Sequence, residues 1–377
     1  MPASVVVIGG GIVGASAAYH LARRGARVTL VDREAPGQAT AAGAGIIAPG
    51  TSLRPIPAFF PLAYRAVAYY PDLLADLMAD GERETGYAVV GLLHVAMDPD
   101  EWARLPELAR LFRERRDAGA PRIGDVEELD AAAARALFPA LGDTHGAVHV
   151  TGAARVDGRR LRDAMRRAAA RHGARSLTGE AVLVRRGERV EAVRVGGRRL
   201  PADAVIVAAG AWAAAFADVL GAPLPIAPQR GQILHLALPN TDTSHWPIVV
   251  GFHSHYLLTF PPDRVVVGAT REDGSGFDPR VTAGGVREVL SEALRVAPGL
   301  ARANIAETRV GLRPASPDGL PILGRAPGLE NVYVAVGHGP VGLQLGPYSG
   351  VLAADLALGL PAPEGLDLAP YAAERFQ

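Results

Sequence analysis

The stretch that most constrains this chain is Val5 to Asp32, V-V-V-I-G-G-G-I-V-G-A-S-A-A-Y-H-L-A-R-R-G-A-R-V-T-L-V-D. Four apolar, mostly β-branched residues, Val5 to Ile8, predict a buried parallel strand. Gly9, Gly11 and Gly14 follow at G-x-G-x-x-G spacing, and an apolar-periodic run to Leu21 predicts a helix that Gly25 ends. Arg27 to Val31 predicts a second strand, closed by Asp32. Each part has a separate physical task. Gly9 permits the tight turn, Gly11 lets a pyrophosphate approach the backbone, and Gly14 lets helix and strand pack closely. The helix N-terminus offers free N–H groups to phosphate, and Asp32 is placed to accept from ribose hydroxyls. Together they predict an α/β chain that binds a dinucleotide.

Composition narrows the chemistry. The chain has 377 residues, a net charge of +0 and no cysteine. Disulfides, thiolate metal sites, cysteine nucleophiles and a flavin held through sulfur are therefore excluded. There is also no lysine, so Schiff-base chemistry and a lysine general base are excluded too. Balanced charge leaves no footprint for nucleic acid. No stretch has the length and apolarity of a membrane span, and the short apolar run before the glycines predicts no secretory leader. The expected location is cytoplasmic, with peripheral membrane association left open.

Further along, Arg33 to Gly50 is rich in Gly and Ala and reads as backbone lying close to a flat or extended ligand. Helices are predicted over Pro61–Glu84, Glu101–Ala118, Asp130–Leu137, Arg159–His172, Ala283–Ala297 and Gly342–Leu358. Tyr87–Met97 alternates like one strand, and Glu180–Val195 reads as a small antiparallel meander. Ala204–Ala209 and Asn331–Val336 predict further buried strands beside the opening one. Ile233–Leu238, Pro247–Val250, Tyr256–Phe260 and Arg264–Gly268 predict a larger antiparallel sheet. The nucleotide-binding pieces thus fall at the start, middle and end. This predicts two interleaved domains: 1–82, 152–220 and 310–377 for the nucleotide, 83–151 and 221–309 for the substrate.

Several motifs together carry a resemblance: V-V-I-G-G-G-I-V-G, A-G-A-G-I-I-A-P, V-I-V-A-A-G-A-W, P-Q-R-G-Q (Pro228–Gln232) and, most specific, G-L-R-P-A-S-P-D-G-L-P-I-L-G (Gly311–Gly324) followed by G-H-G-P-V-G. The chain resembles the FAD-dependent amine oxidoreductases of the D-amino-acid oxidase superfamily, in particular glycine oxidase and bacterial D-amino-acid dehydrogenases. The resemblance implies a glutathione-reductase-like FAD domain with an antiparallel-sheet substrate domain, and non-covalent FAD. It implies oxidative deamination of glycine, a D-amino acid or an N-substituted amino acid. The α-carbon's hydride goes to flavin N5, leaving an imine that hydrolyses to a 2-oxo acid and an amine. The alternatives are a secondary-amine dehydrogenase subunit acting on proline, hydroxyproline or opine-type substrates, and a non-catalytic flavin-binding assembly or electron-transfer subunit. The electron acceptor is expected to be oxygen or a quinone-type carrier, and a homo-oligomer is possible.

On that resemblance Arg313 clamps the substrate carboxylate, Tyr256 assists it, and His338 stands by the flavin, reinforcing the positive helix end or packing near the ring. The implied cofactor contacts are Gly9, Gly11, Ile12, Val13, Gly14, Asp32 and Arg33 in the opening unit, and Thr40, Ala41, Ala42, Gly43, Gly45 and Ile46 in the small-residue segment. Val182, Ala209, Gly210 and Trp212 follow in the middle. Arg313, Gly337, His338, Gly339, Val341, Gly342, Leu343 and Gln344 complete the set. Where glycine oxidase carries an arginine in the last glycine turn, this chain has Pro340, so a second anionic contact is expected to be missing there. His253 and His255 are spaced to share a strand face, but with no carboxylate or cysteine alongside in the sequence they predict no metal site.

Overall fold

The computed structural model describes residues 2–377. Its centre is a six-stranded sheet in the order Ile322–Arg325, Val332–Val336, Ala204–Val207, Ser4–Ile8, Arg27–Asp32, Arg175–Thr178. All neighbours are parallel except the Ile322–Arg325 edge. The sheet is parallel because its strands are apolar on both faces: Val5, Val7 and Ile206 pack on one side, and Val6, Val205 and Val207 on the other. The edge strand Arg175–Thr178 was not foreseen, because it is mostly exposed and carries no apolar run.

The first helix, Ile12–Arg23, lies on one face and is crossed by the last helix, Gly342–Ala357. Small residues set how closely they approach. A Cβ on Gly350 would stand 2.6 Å from the Ser16 Cβ, and Ser16 Oγ donates to the Pro347 carbonyl at 2.6 Å. Both helices therefore begin at the same end of the sheet, beyond the carboxyl ends of its parallel strands.

The second sheet has eight strands: Asn304–Ala315, Ala227–Ala237, Arg264–Gly268, Tyr256–Phe260, Ile248–Val250, Leu92–Ala96, Gly146–Val150 and Val126–Asp130. It is antiparallel apart from one parallel junction, Ile248–Val250 with Leu92–Ala96, where the chain returns after a long excursion. The expected single strand Tyr87–Met97 is broken at Gly91 (φ +77°). Ala88–Val89 joins a small three-stranded sheet, and only Leu92–Ala96 enters the large one. The strand Asn304–Ala315 runs straight through residue 310, the expected domain boundary, because one continuous strand both pairs in this sheet and ends at the cleft.

Strand alternation decides what faces the cleft. Leu257, Val265, Val267, Leu234 and Leu236 point to the face covered by helix Ala283–Val296. Tyr256, Leu258, Phe260, Val266 and Ile233 point the other way, against Ala44, Ile46 and Ala48 of the Gly/Ala-rich segment. That segment is folded as the short helix Ala39–Ala42, the strand Ile46–Ile47 and a 3-10 turn at Pro49–Thr51, wedged between the two sheets. Its small residues are there because both sheets close on it.

Candidate active site

A cavity of about 600 Å³ runs between the two sheets, outside the carboxyl ends of the parallel strands. At one end lies the opening glycine turn. Gly9 has φ +102°, and a Cβ there would stand 2.7 Å from the Ala208 carbonyl carbon, so only glycine makes the turn without a clash. Gly14 does not line the cavity; any side chain on it would run into the Gly9 carbonyl, which makes its role helix–strand packing. Gly11 is the N-cap of the first helix and receives no side-chain cap of its own. The Ile12 N–H instead donates to Thr40 Oγ1 at 2.9 Å.

Asp32 is buried at the end of its strand and lines the cavity. Its Oδ2 accepts from the Gly10 N–H at 2.9 Å and its Oδ1 from the Glu34 N–H at 2.9 Å, with Gln38 Nε2 at 3.2 Å from both oxygens. A carboxylate has about four acceptor positions, and these three donors make four contacts with it, which fix its orientation. Arg33 lies over the Trp212 ring at 4.9 Å, and Trp212 in turn stacks on Phe277. Gly10, Gly179 to Leu183, Ala208 and Ala215 also line this end. Most of these were missed in the sequence, since nothing local marks a residue that faces a ligand only because two strands end beside each other.

The other end is built from the large sheet. Arg313 sits near the end of Asn304–Ala315, half-buried, and donates to the Thr270 carbonyl at 3.0 Å and to Gln229 Oε1 at 3.4 Å. Its guanidinium occupies space that a side chain on Gly231 would fill: a Cβ there would be 2.5 Å from Nη1. Tyr256 lines the same space, opposite Gly268, where a Cβ would come within 2.8 Å of the tyrosine hydroxyl. Burial raises the Tyr256 pKa, with Arg313 and Arg271 opposing it, so the hydroxyl keeps its proton and can donate. Burial lowers the Arg313 pKa, but an arginine stays charged through any such shift. Arg54 and Arg271 line this end as well, and neither was singled out in the sequence.

An isolated bridge pairs Ala315 with His338, tying the Arg313 strand to the turn before the last helix. That helix starts at Gly342 with no side-chain cap, and Gly339, Val341, Gly342, Leu343 and Gln344 line the cavity. Gln344 Oε1 accepts from the Ala48 N–H at 3.2 Å, and the Leu343 carbonyl accepts from the Tyr70 hydroxyl. His338 is fully buried with Nε2 2.9 Å from Ser349 Oγ, and burial lowers its pKa to about 4. Of the two roles expected for His338, the lowered pKa favours packing near the ring over reinforcing the positive helix end. His338 lines the cavity, whereas two expected contacts besides Gly14 lie outside it. Ala41 turns its carbonyl to the Arg159 and Arg309 guanidiniums, and Gly337 (φ +78°) packs against Ile226. His253 and His255 lie in a turn rather than on a strand face, and carboxylates do stand beside them: Glu292 Oε2 is 3.1 Å from His253 and Glu288 Oε1 is 3.5 Å from His255. Among the described residues no group of three or more His, Asp or Glu side chains is arranged to hold a metal.

Comparison with known proteins agrees with this geometry. Residues 4–356 match the family model described as "DAO: FAD dependent oxidoreductase". The chain belongs to the DAO family of FAD-dependent oxidoreductases. This FAD-dependent oxidoreductase is 44% identical to the oxidoreductase YurR of Bacillus subtilis (strain 168), over 98% of each chain. Among solved structures it is similar to iminodiacetate oxidase (IdaA) from Chelativorans sp. BNC1, with a TM-score of 0.93, 46% identity and 98% coverage of both chains. It is also similar to glycine oxidase from Geobacillus kaustophilus, with a TM-score of 0.87, 28% identity and 98% coverage of both. The residues present suit FAD. Gly9 and Gly11 leave backbone open at the first helix N-terminus, the Asp32 carboxylate lines the cavity where a ribose would lie, and small residues floor the cavity beside the last helix. With no cysteine in the chain, the flavin is held without a thioether.

Proposed function

We propose that this oxidoreductase oxidises the C–N bond of glycine, a D-amino acid or an N-substituted amino acid to an imine. The observation that carries the reading is the half-buried Arg313 guanidinium, which pairs with no carboxylate among the described residues, beside the protonated Tyr256 hydroxyl in the cavity that also contains the dinucleotide turn. A planar guanidinium matches a carboxylate in two parallel hydrogen bonds. Thr270 and Gln229 hold it from one side and leave the rest of its five donors to a ligand. Tyr256 donates a further bond to the same carboxylate, which fixes the rotation of the α-carbon.

The chemistry that bound FAD supplies is two-electron oxidation, receiving the α-hydrogen with its bonding pair. The chain's own part is positioning and exclusion of water. Arg313 and Tyr256 orient the substrate, and the uncapped start of the last helix offers partial positive charge where negative charge collects. Among the described residues the acids that line the cavity, Asp32 and Glu180, lie at the nucleotide end, so the amine proton leaves to solvent before oxidation. The imine carbon then takes up water and releases the amine, leaving a 2-oxo acid. The two electrons pass to oxygen or a quinone-type carrier. The test is Arg313→Leu: FAD stays bound in full stoichiometry while the KM of the amine substrate rises by about two orders of magnitude, as expected for a lost bidentate charged contact. An unchanged KM removes Arg313 from the site.

A further inference from the structure

The substrate end of the cavity holds more positive charge than one carboxylate needs. Arg54 follows the 3-10 turn at Pro49–Thr51, and Arg271 stands exposed at the cavity mouth, one residue past Thr270. Among the described residues, neither guanidinium makes a salt bridge or a hydrogen bond with the chain. Arg54 only lies over the Phe59 ring, at 5.5 Å. The nearby acids are engaged elsewhere. Glu272 is bonded to Arg230, Gln232 and Thr270, and Asp273 accepts from Gln229. The acids that line the cavity, Asp32 and Glu180, are at the nucleotide end, where the Gly179 N–H donates to the Asp32 carbonyl. The three arginines also sense one another: Arg271 depresses the pKa of both Arg54 and Arg313, adding to the effect of their burial. This is not a general excess of charge, since the chain is neutral overall. Like charges gathered without counter-charge favour an anionic ligand and discriminate against neutral groups.

We propose that the substrate is a dicarboxylic amino acid, in which Arg313 and Tyr256 hold the carboxylate next to the oxidised carbon while Arg54 and Arg271 take the second carboxylate. The inference rests on the proposed amine oxidation for turnover but not for binding. The second carboxylate is carried on the nitrogen, as in iminodiacetate, or on the carbon chain, as in D-aspartate.

Two measurements on the FAD-loaded enzyme decide this. Anaerobic flavin bleaching is followed with iminodiacetate, D-aspartate, glycine and sarcosine. One of the diacids is expected to surpass both monoacids at least about tenfold in the ratio of reduction rate to Kd, and which diacid does so fixes where the second carboxylate hangs. Separately, the flavin spectrum is titrated with diglycolate, a dicarboxylate with ether oxygen in place of nitrogen, and with methoxyacetate, its monocarboxylic counterpart. Wild type is expected to bind diglycolate at least about tenfold more tightly, and R54Q/R271Q to lose most of that preference. Equal binding of the two ethers by wild type, or a preference that survives in R54Q/R271Q, overturns the proposal. If no amine bleaches the flavin yet the diglycolate preference holds and depends on the two arginines, amine oxidation fails and the dianion site stands.

Discussion

Replacing Gly231 by alanine tests the site without replacing any side chain proposed to meet substrate. The glycine is paired with Gly311 in the middle of two long strands, so its backbone has little freedom to retreat. A methyl group there stands 2.5 Å from Arg313 Nη1, roughly 1 Å inside an ordinary contact. The guanidinium must move instead, and the Nη1 bond to the Thr270 carbonyl, now 3.0 Å, is lost with its alignment. A charged hydrogen bond put out of alignment costs about 1.5–3 kcal/mol, which is roughly a 10- to 100-fold fall in kcat/KM. The assay is steady-state kinetics on whichever of glycine, sarcosine or iminodiacetate the wild type oxidises, with flavin content measured by absorbance. FAD stoichiometry is expected to stay at wild-type level, because the residues around Gly231 belong to the substrate end. A kcat/KM within twofold of wild type at full flavin loading refutes the placement of Arg313.

Two other outcomes follow from the same geometry. Asp32→Ala strips the Gly10 and Glu34 N–H groups of their acceptor and removes the proposed ribose contact; FAD added back to apoprotein should bind about 10- to 100-fold more weakly, and an unaltered Kd would place the ribose elsewhere. The buried histidines His20, His94, His235 and His338 have pKa values lowered by burial to about 3, 4, 3 and 4. The folded values lie below the unfolded one, so the unfolded chain takes up protons first as pH falls. Stability is therefore whole above about pH 6.5 and is lost toward pH 4, by up to about 1.4 kcal/mol per pH unit for each ring. Denaturant melts between pH 7 and 5 should show a shallower slope in His338→Asn than in wild type; equal slopes would mean that His338 titrates normally in the fold.

Much of the nucleotide half was legible because its signals are local. The Val5–Asp32 unit is 28 consecutive residues in which strand, glycines, helix and acid must occur together, and each part constrains its neighbours through backbone geometry alone. The same locality explains the reading of Ala204–Val207 and Val332–Val336 as buried parallel strands. Where the reading went astray the cause was long-range. The break at Gly91 depends on two sheets claiming adjacent pieces of one apolar run, and the lowered pKa of His338 depends on its burial. Ala41 and Ala42 are neighbours of one type, yet only Ala42 faces the cavity, while the Ala41 carbonyl accepts from Arg159 and Arg309.

By itself, then, the sequence determined an α/β nucleotide fold and, through the absence of lysine and cysteine, which chemistries the chain is unable to perform. Apart from Arg313, which its motif singled out by resemblance, it did not mark which arginines line the substrate end of the cavity. The chain has 39 basic residues, all arginine, and in the sequence a guanidinium with a carboxylate partner reads the same as one without. Arg54, Arg271 and Arg313 are far apart along the chain and meet only because a loop, a strand end and a long edge strand converge on one cavity. Whether a charge is answered depends on what folds beside it, and only the tertiary structure decides that.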